Sequence, residues 1–479
     1  MSSSGTKKWS ALAALALVSM VIGLDLMVLN VALPTLALDL HASTSDLQWF
    51  GNAYALVLAA ALLPAGLLGD RYGRKRMLIV ALALFGLASL ACAYCQSVGQ
   101  LVAARAVLGL GAAFLMPLAM SMLTVLFAPE ERSRALTIWV TANSIGIPLG
   151  PIVGGALLDH FWWGSVFLIN VPVVLVSLVA AIVLLPSSRS EQRPRIDVVG
   201  VLTSSLGLAA LTYGVIRAGD AGWTDATAIA SMLAGAVLLA AFAGWQRRLH
   251  RKPGGQPLVD VSLFASRGFR WGSILATLAT FAMFGVFFTM PQYFQEITGT
   301  NALGTGLRLL PVIGGLLVGS RMADRFTARL GAGRVIGVGY LLLAAGLFLG
   351  GRTSIGSGYG WVAAWFAVVG LGLGFALPTA MNAALGALSA ERSGVGSALI
   401  QAIRQVGGVI GVALLGTILN SSYRDRIDDS TLPLGVAAVA RRGVTAGVQV
   451  ASRLDSASTL AIVRQAFLHA MDMMLAVSA

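Results

Sequence analysis

Charge is scarce in this sequence. Only 11% of its 479 residues are Asp, Glu, Lys or Arg, whereas 57% are hydrophobic. Soluble domains carry about 25% charged residues, and a soluble fold of this length could not cover its surface with so few. The composition therefore excludes a soluble protein and predicts an integral membrane protein that works in contact with the lipid bilayer.

Cysteine and histidine are scarce as well. The two cysteines, Cys92 and Cys95, lie in the segment ACAYCQ, and there are four histidines. A C-x-x-C pair can indicate redox chemistry, but this pair lies in an apolar stretch without strand–helix context, and we interpret it as two small buried helix residues. The scattered histidines suggest no metal site, and no G-x-x-x-x-G-K-[ST] loop for ATP is present. We therefore expect neither a metal nor an organic cofactor.

Long apolar segments dominate what is present. A helical span needs about 20 mostly apolar residues, and fourteen segments fit this requirement. They are 11–34, 47–69, 77–96, 98–121, 134–157, 164–186, 196–217, 226–246, 270–292, 303–322, 334–350, 358–382, 394–420 and 460–479. The last is short for a crossing, with only fifteen residues after Arg464.

The basic residues support this count. Lys and Arg favour cytoplasmic loops. With the N-terminus in the cytoplasm, 22 of the 33 basic residues lie in cytoplasmic segments, and the outer loops before residue 420 hold only Arg217 and Arg352. The asymmetry predicts a multi-pass protein with a cytoplasmic N-terminus. It also explains much of the net charge of +13 without a nucleic-acid partner.

Two pairs of cytoplasmic segments repeat in order along the chain. Asp70-Arg71 aligns with Asp324-Arg325, and the segment 131–133 aligns with 391–393, at offsets of 254 and 260 residues. We predict two six-helix halves, at 1–186 and 261–479, separated by two inserted helices with basic flanks in 187–260. Parallel repeats around a central site are a transporter architecture. A long outer loop, 421–459, precedes the last span and is expected to form a short hairpin or helix.

Several motifs resemble those of one family. GLLGDRYGRKR resembles the loop 2–3 motif of the major facilitator superfamily, and LVAARAVLGLGAA (101–113) resembles its fourth-helix motif. GIPLGPIVGG (146–155) resembles the fifth-helix motif of drug exporters. LDLMVLNVALP resembles the first-helix motif of the fourteen-span drug:proton antiporters of the EmrB/QacA type, and DHFWWGSVFLINVP (159–172) is closer to the QacA-like branch.

The resemblance implies a major facilitator fold, energised by a proton gradient, in a bacterial cytoplasmic membrane. It also implies roles for two motifs. A conformational latch would involve Gly69, Asp70, Arg71, Gly73 and Arg74, with a weaker copy at Asp324 and Arg325, which lacks the glycines. The antiporter motif, which seals the two halves against leak, would involve Gly146, Gly150, Pro151, Gly154 and Gly155, whose small-xxx-small spacing permits close helix packing.

Two charged residues lie at matching depths in different spans. At 1.5 Å per residue, Asp25 lies ~21 Å from the cytoplasmic edge of the first span and Arg105 lies ~10 Å from the outer edge of the fourth. Both would thus lie near one level of a ~30 Å hydrocarbon core. Charges in spans usually face the interior and pair, so we predict that Asp25 and Arg105 are neighbours, directly or through water. With Glu296, at the outer end of span nine, they are the candidate proton-coupling residues.

Aromatic, amide and other polar residues in the spans are candidates for substrate binding. Aromatic rings and methionine suit lipophilic cations, and an amide in a span requires a hydrogen-bonding partner. The candidates are Asn30, Tyr54, Met116, Asn143, Phe284, Phe287, Tyr293, Trp361, Asn382, Gln401 and Arg404.

These observations favour a monomeric, proton-coupled antiporter that exports lipophilic or cationic drugs by alternating access, without enzyme activity. The alternative is a dedicated exporter of one endogenous product, such as an antibiotic. A receptor or scaffold on the same fold is disfavoured by the latch and antiporter motifs, and an uptake symporter by the fifth-helix motif.

Overall fold

The computed structural model is helical wherever it describes the chain, which is at residues 2–127, 129–187, 197–252, 257–259, 261–386, 390–427, 432 and 434–479; no strand occurs within these ranges. The helices of the first part are α1 (Ser2–Asp39), α2 (Thr44–Tyr72), α3 (Arg74–Ala93), α4 (Val98–Leu126), α5 (Pro129–His160), α6 (Ser165–Leu168), α7 (Asn170–Leu184), α8 (Val198–Ala221) and α9 (Ala226–Arg251). The predicted all-α membrane fold is confirmed.

The remaining helices begin after a 3-10 turn at Val261–Ala265. They are α10 (Arg267–Gln292), α11 (Ala302–Arg308), α12 (Leu310–Leu330), α13 (Ala332–Gly350), α14 (Tyr359–Gly386), α15 (Ala390–Arg426), α16 (Leu434–Ala440), α17 (Val444–Arg453) and α18 (Ala457–Ser478). A π-helical turn, Tyr293–Ile297, continues α10.

Polar side chains set several helix starts. Each of Ser97, Ser266, Asn301 and Ser456 accepts a hydrogen bond from the backbone N–H three residues later. These bonds satisfy donors that have no partner inside the helix. The turn chemistry of the sequence therefore fixes where α4, α10, α11 and α18 begin.

Twelve helical segments of the described residues are long and apolar enough to cross a membrane. Each of them corresponds to one of the predicted segments. The predicted segments 47–69 and 134–157 correspond to α2 and α5, which have 29 and 32 residues but are not among the twelve. The count of fourteen spans therefore stays a prediction.

The chain divides into two compact units. The first comprises Met1–Leu29, Ala53–Leu208 and Val237–Val261, and the second comprises Asn30–Asn52, Ala209–Ala236 and Ser262–Ala479. In the second unit, α12 and α14 pack backbone to backbone: a Cβ added at Gly374 would lie 2.7 Å from the amide nitrogen of Ser320. Small residues permit such close helix contacts in membranes.

The turn between α2 and α3 requires a glycine. Gly73 has φ 105°, in the left-handed region that a side chain disfavours. Arg71 lies over the ring of Tyr72, 5.5 Å from its centroid, and Arg74 begins α3. The side chain of Asp70 lies outside the described part of the structure.

The second copy of this motif differs from the sequence-based expectation. Arg325 lies within α12 rather than in a loop, because that helix continues to Leu330. The turn follows at Gly331, which has φ 81°, so the second half does have a turn glycine, seven residues after Asp324. The side chain of Asp324 is outside the described residues.

The end of the chain is more regular than its apolar pattern suggested. The last helix, α18, has 22 residues and is long enough to span a bilayer, because it begins at Ala457 rather than 460. The segment between α15 and α18, predicted to be a long outer loop, contains the short helices α16 and α17, in agreement with the expectation of a hairpin or helix. It contacts the α1–α2 linker, where the amide of Thr44 donates to the carbonyl of Arg442 over 3.1 Å.

Candidate functional site

Asp25 and Arg105 form a direct ion pair in the first unit. The Nη1 atom of Arg105 lies 3.0 Å from Oδ2 of Asp25, and both side chains are almost completely buried. They lie on α1 and α4, so the prediction that they are neighbours is confirmed in its direct form. A buried charge is costly unless it is paired and hydrogen-bonded, and each of these residues supplies the other's counter-charge.

Asn170 completes the arrangement around Asp25. Its Nδ2 donates to Oδ1 of Asp25 over 3.0 Å, so both carboxylate oxygens accept a hydrogen bond. The same nitrogen lies 3.0 Å from Oγ of Ser89, and that hydroxyl donates to the carbonyl of Phe167 over 2.8 Å. The network thus links α1, α3, α4, α6 and α7.

Neither Asn170 nor Ser89 was predicted from the sequence to be a site residue. Both lie in predicted spans, and Asn170 stands in the quoted segment FLINVP. The signal that would have found Asn170 is the one applied to other amides in spans, namely that a buried amide requires a partner.

Aromatic rings enclose the guanidinium of Arg105. Its Cζ lies 4.4 Å from the ring centroid of Tyr54 and 5.9 Å from that of Phe167. Cation–π contacts stabilise a desolvated guanidinium. The hydroxyl of Tyr54 is buried without a hydrogen-bond partner in the described structure. Tyr54, predicted to bind substrate, therefore contacts the ion pair.

The glycines of the fifth-helix motif pack against the helix that carries Asp25. A Cβ at Gly150 would lie 2.8 Å from the carbonyl oxygen of Leu24 and 2.9 Å from Cβ of Met27. A Cβ at Gly146 would overlap the carbonyl oxygen of Met20, and one at Gly154 would overlap the side chain of Val28. The glycine face of α5 is therefore in backbone contact with α1 on both sides of Asp25. Pro151 and Gly155 are buried in the same helix.

Glu296 lies in the π-helical turn at the C-terminal end of α10, in the second unit. The side chain of Thr445, on α17, interacts with its carboxylate. Tyr423 lies near Glu296, and its hydroxyl donates to the carbonyl of Ala440 over 3.1 Å. The segment between α15 and α18 is thus packed next to this second carboxylate.

Arg404 and Gln401 meet in the second unit. Nη1 of Arg404 donates to Oε1 of Gln401 over 2.7 Å, and Nε donates to Oγ1 of Thr280 over 3.1 Å. The sulfur of Met381 accepts a further bond from Nη1 over 3.3 Å. These contacts join α10, α14 and α15.

The other predicted substrate residues are spread over both units. Phe287 and Tyr293 are buried, Asn30, Met116 and Phe284 are half-buried, and Trp361 and Asn382 are exposed. Asn143 lies on α5, but its side chain is outside the described residues. The structure therefore brings together Asp25, Arg105 and Tyr54 in the first unit, and Gln401 with Arg404 in the second.

The chain shares its fold with solved transporters. A bacterial homologue of the human lysosomal transporter Spinster, solved in an inward-facing and unoccupied conformation, superposes with a TM-score of 0.69 at 16% sequence identity, covering 99% of this chain and 95% of that one. At this identity the likeness concerns the fold alone.

Sequence comparison identifies closer relatives. The tetracenomycin C resistance and export protein of Streptomyces glaucescens is 36% identical over 88% of this chain and 78% of its own length. The multidrug efflux pump LfrA of Mycolicibacterium smegmatis is also 36% identical, over 88% of this chain and 83% of its own length. The methyl viologen resistance protein SmvA of Salmonella typhimurium is 32% identical over 96% and 93%.

The family model described as Major Facilitator Superfamily matches residues 15–412. That range includes the ion pair, the glycine face of α5 and the Arg404 cluster. The chain is a multi-pass membrane transporter rather than an enzyme, and it belongs to the major facilitator superfamily.

Proposed function

We propose that this transporter exports lipophilic and cationic drugs in exchange for protons, by alternating access. The observation that carries the proposal is the buried carboxylate of Asp25, held by Arg105 and Asn170. A carboxylate in a span is costly and is commonly functional. A proton on Asp25 removes the negative charge that attracts Arg105, so proton binding is linked to the contact between α1 and α4.

The glycine face of α5 would couple the protonation of Asp25 to a movement of α5. The contact between Gly150 and Leu24 is next to Asp25 in the chain, and backbone contact leaves little room for α1 to move independently of α5. A shift of α1 after protonation would therefore be transmitted to α5. In this proposal Asp25 is the coupling carboxylate, Arg105 its counter-ion, and Glu296 a second proton-binding group at the outer end of α10.

The names of the relatives support export of small molecules. They include a multidrug efflux pump and a methyl viologen resistance protein, and methyl viologen is an organic dication. We assign the chain to the fourteen-span branch of the superfamily because α2 and α5, added to the twelve candidate spans, bring the count to fourteen. We also propose that it works as a monomer in a bacterial cytoplasmic membrane, with a cytoplasmic N-terminus.

A second candidate is a dedicated exporter of one endogenous product. It is favoured by the tetracenomycin C export protein, at 36% identity, and by a probable actinorhodin transporter of Streptomyces coelicolor, at 33% identity over 88% of this chain and 75% of its own length. Both names refer to a single compound rather than to a range of drugs.

The test is transport by the purified protein in inside-out vesicles with an acidic lumen. Proton-coupled export predicts that ethidium accumulates in the vesicles and is released when a protonophore collapses the pH gradient. Ethidium accumulation that does not depend on the pH gradient would contradict proton coupling. Transport of ethidium, rhodamine 6G and methyl viologen would favour the multidrug function, whereas transport of tetracenomycin C without any of these cations would favour the dedicated exporter.

A further inference from the structure

Arg404 is a cation in a membrane span whose described partners are all neutral. It donates to the hydroxyl of Thr280, the thioether of Met381 and the amide oxygen of Gln401. Arg105, a buried arginine of the first unit, has a carboxylate at 3.0 Å. No acidic side chain among the described residues pairs with Arg404 in this way.

A missing counter-charge at this position indicates an anion that binds from elsewhere. A charged side chain inside a span is retained at a cost and usually faces a partner of opposite charge. Neutral acceptors satisfy N–H groups but leave the charge itself uncompensated. The position therefore suits a negative group that no described side chain supplies.

The guanidinium of Arg404 also has N–H donors available for a ligand. Arginine carries five N–H donors in a planar fork, and the hydrogen bonds of Arg404 use only Nε and Nη1. Within the described structure Nη2 makes no hydrogen bond, and the side chain is half-buried rather than enclosed. A carboxylate or phenolate oxygen is the type of acceptor that such a fork binds strongly.

An aromatic ring lies beside this fork. Gly408 is one helical turn from Arg404 on α15, and a Cβ there would lie 3.3 Å from the ring of Phe284. Phe284 is in turn one helical turn from Thr280 on α10. Residues four apart share a helix face, so the ring and the guanidinium lie along the same contact between α10 and α15.

We propose that Arg404 binds the negatively charged oxygen group of an aromatic substrate, a carboxylate or phenolate, with Gln401 and Phe284 as the adjacent polar and aromatic contacts. This assignment rests on the proposed export function and extends it: the exporter accepts aromatic anions or zwitterions in addition to cations.

Binding is measured first, on the purified full-length protein in detergent. The probes share one ring system and differ in charge: fluorescein is an anion at pH 7.5 and rhodamine 6G is a cation. Fluorescence anisotropy is expected to show that Arg404→Gln weakens fluorescein binding at least tenfold and rhodamine 6G binding less than twofold. Arg404→Lys is expected to retain part of the fluorescein affinity. Arg352→Gln removes an exposed arginine of the same unit and is expected to match the wild type.

Chloride is the simplest rival anion. The fluorescein titration is repeated in gluconate and in chloride buffers of equal ionic strength. Similar affinities in both buffers support an organic anion site, whereas displacement of fluorescein by millimolar chloride would show that Arg404 holds an inorganic ion and would overturn the proposal.

Transport in vesicles separates this inference from the function on which it rests. If the wild type accumulates both dyes and Arg404→Gln loses only the accumulation of fluorescein, the result supports both the anion site and the export function. Accumulation of rhodamine 6G without binding or transport of fluorescein overturns the anion site and leaves the export function standing. Binding of fluorescein that depends on Arg404, without accumulation of either dye, supports the site and contradicts drug export.

Discussion

Asn170 donates to the carboxylate oxygen of Asp25 that Arg105 leaves unused. The two donors approach from α7 and α4, so the acid on α1 is held from both sides. Asp25 therefore has a second partner besides the arginine of the ion pair. It is the centre of a buried network whose members stand 80 and 145 residues away from it in the chain.

Breaking the ion pair from one side is expected to destabilise the protein. Asp25→Asn or Arg105→Gln leaves a buried charge without its counter-charge, which costs about 3–5 kcal/mol in buried pairs. The double variant leaves neither charge, so its loss should be smaller than the sum of the two by about 1–3 kcal/mol. Chemical unfolding in detergent measures these differences, with Arg352→Gln as the control. If the stability loss of the double variant equalled the sum of the two single losses, the two charges would not interact.

Removing the amide of Asn170 is expected to destabilise the network by about 1–3 kcal/mol, because the buried oxygens of Asp25 and Ser89 lose a donor. The variant Asn170→Ala is compared with Ser177→Ala on the same helix. The hydroxyl of Ser177 is buried and has no hydrogen-bond partner among the described residues, so its removal should have little effect or increase stability. Thermal unfolding compares the two. If Asn170→Ala and Ser177→Ala lost equal stability, the hydrogen bonds of Asn170 would not stabilise the network as we expect.

A methyl group at Gly150 is expected to separate α5 from α1. Its Cβ would lie 2.8 Å from the carbonyl of Leu24, a backbone atom that cannot rotate away. We expect Gly150→Ala to lose at least tenfold in transport rate. At Gly99, on α4, an added Cβ would meet nothing within 4 Å, so Gly99→Ala should transport at the wild-type rate. Vesicle uptake of ethidium measures both, and a normal rate for Gly150→Ala would show that the close contact is dispensable.

The apolar pattern of the sequence was sufficient to locate the twelve long apolar helical segments of the described structure, but not short helices such as α6 and α11 as separate elements. It also placed Asp25 and Arg105 at one depth, because the rise of a helix and the thickness of a bilayer are fixed quantities. Asn170 was not identified, since depth alone does not say which helices are neighbours. The extension of α12 through Arg325 to Leu330 was missed for a different reason. Charged residues were taken to end the span, whereas a helix can continue beyond the membrane.

The chemistry of the second unit was less predictable. Arg404 was identified as a charge in a span, but its neutral partners, Thr280 and Met381, lie on other helices. Only their positions show that the described partners of this charge are neutral. Similarly, the sequence indicated some structure in the outer loop, but not that Thr445 lies next to Glu296.

Proton-driven transport by Asp25→Asn tests the central claim most directly. Asparagine keeps the shape of the side chain but can neither bind nor release a proton, and the reconstituted amount of each variant is matched beforehand. We predict that inside-out vesicles with this variant no longer accumulate ethidium against its concentration gradient when the lumen is acidic, while ethidium counterflow without a pH gradient continues. Full accumulation driven by the pH gradient in Asp25→Asn would contradict the account.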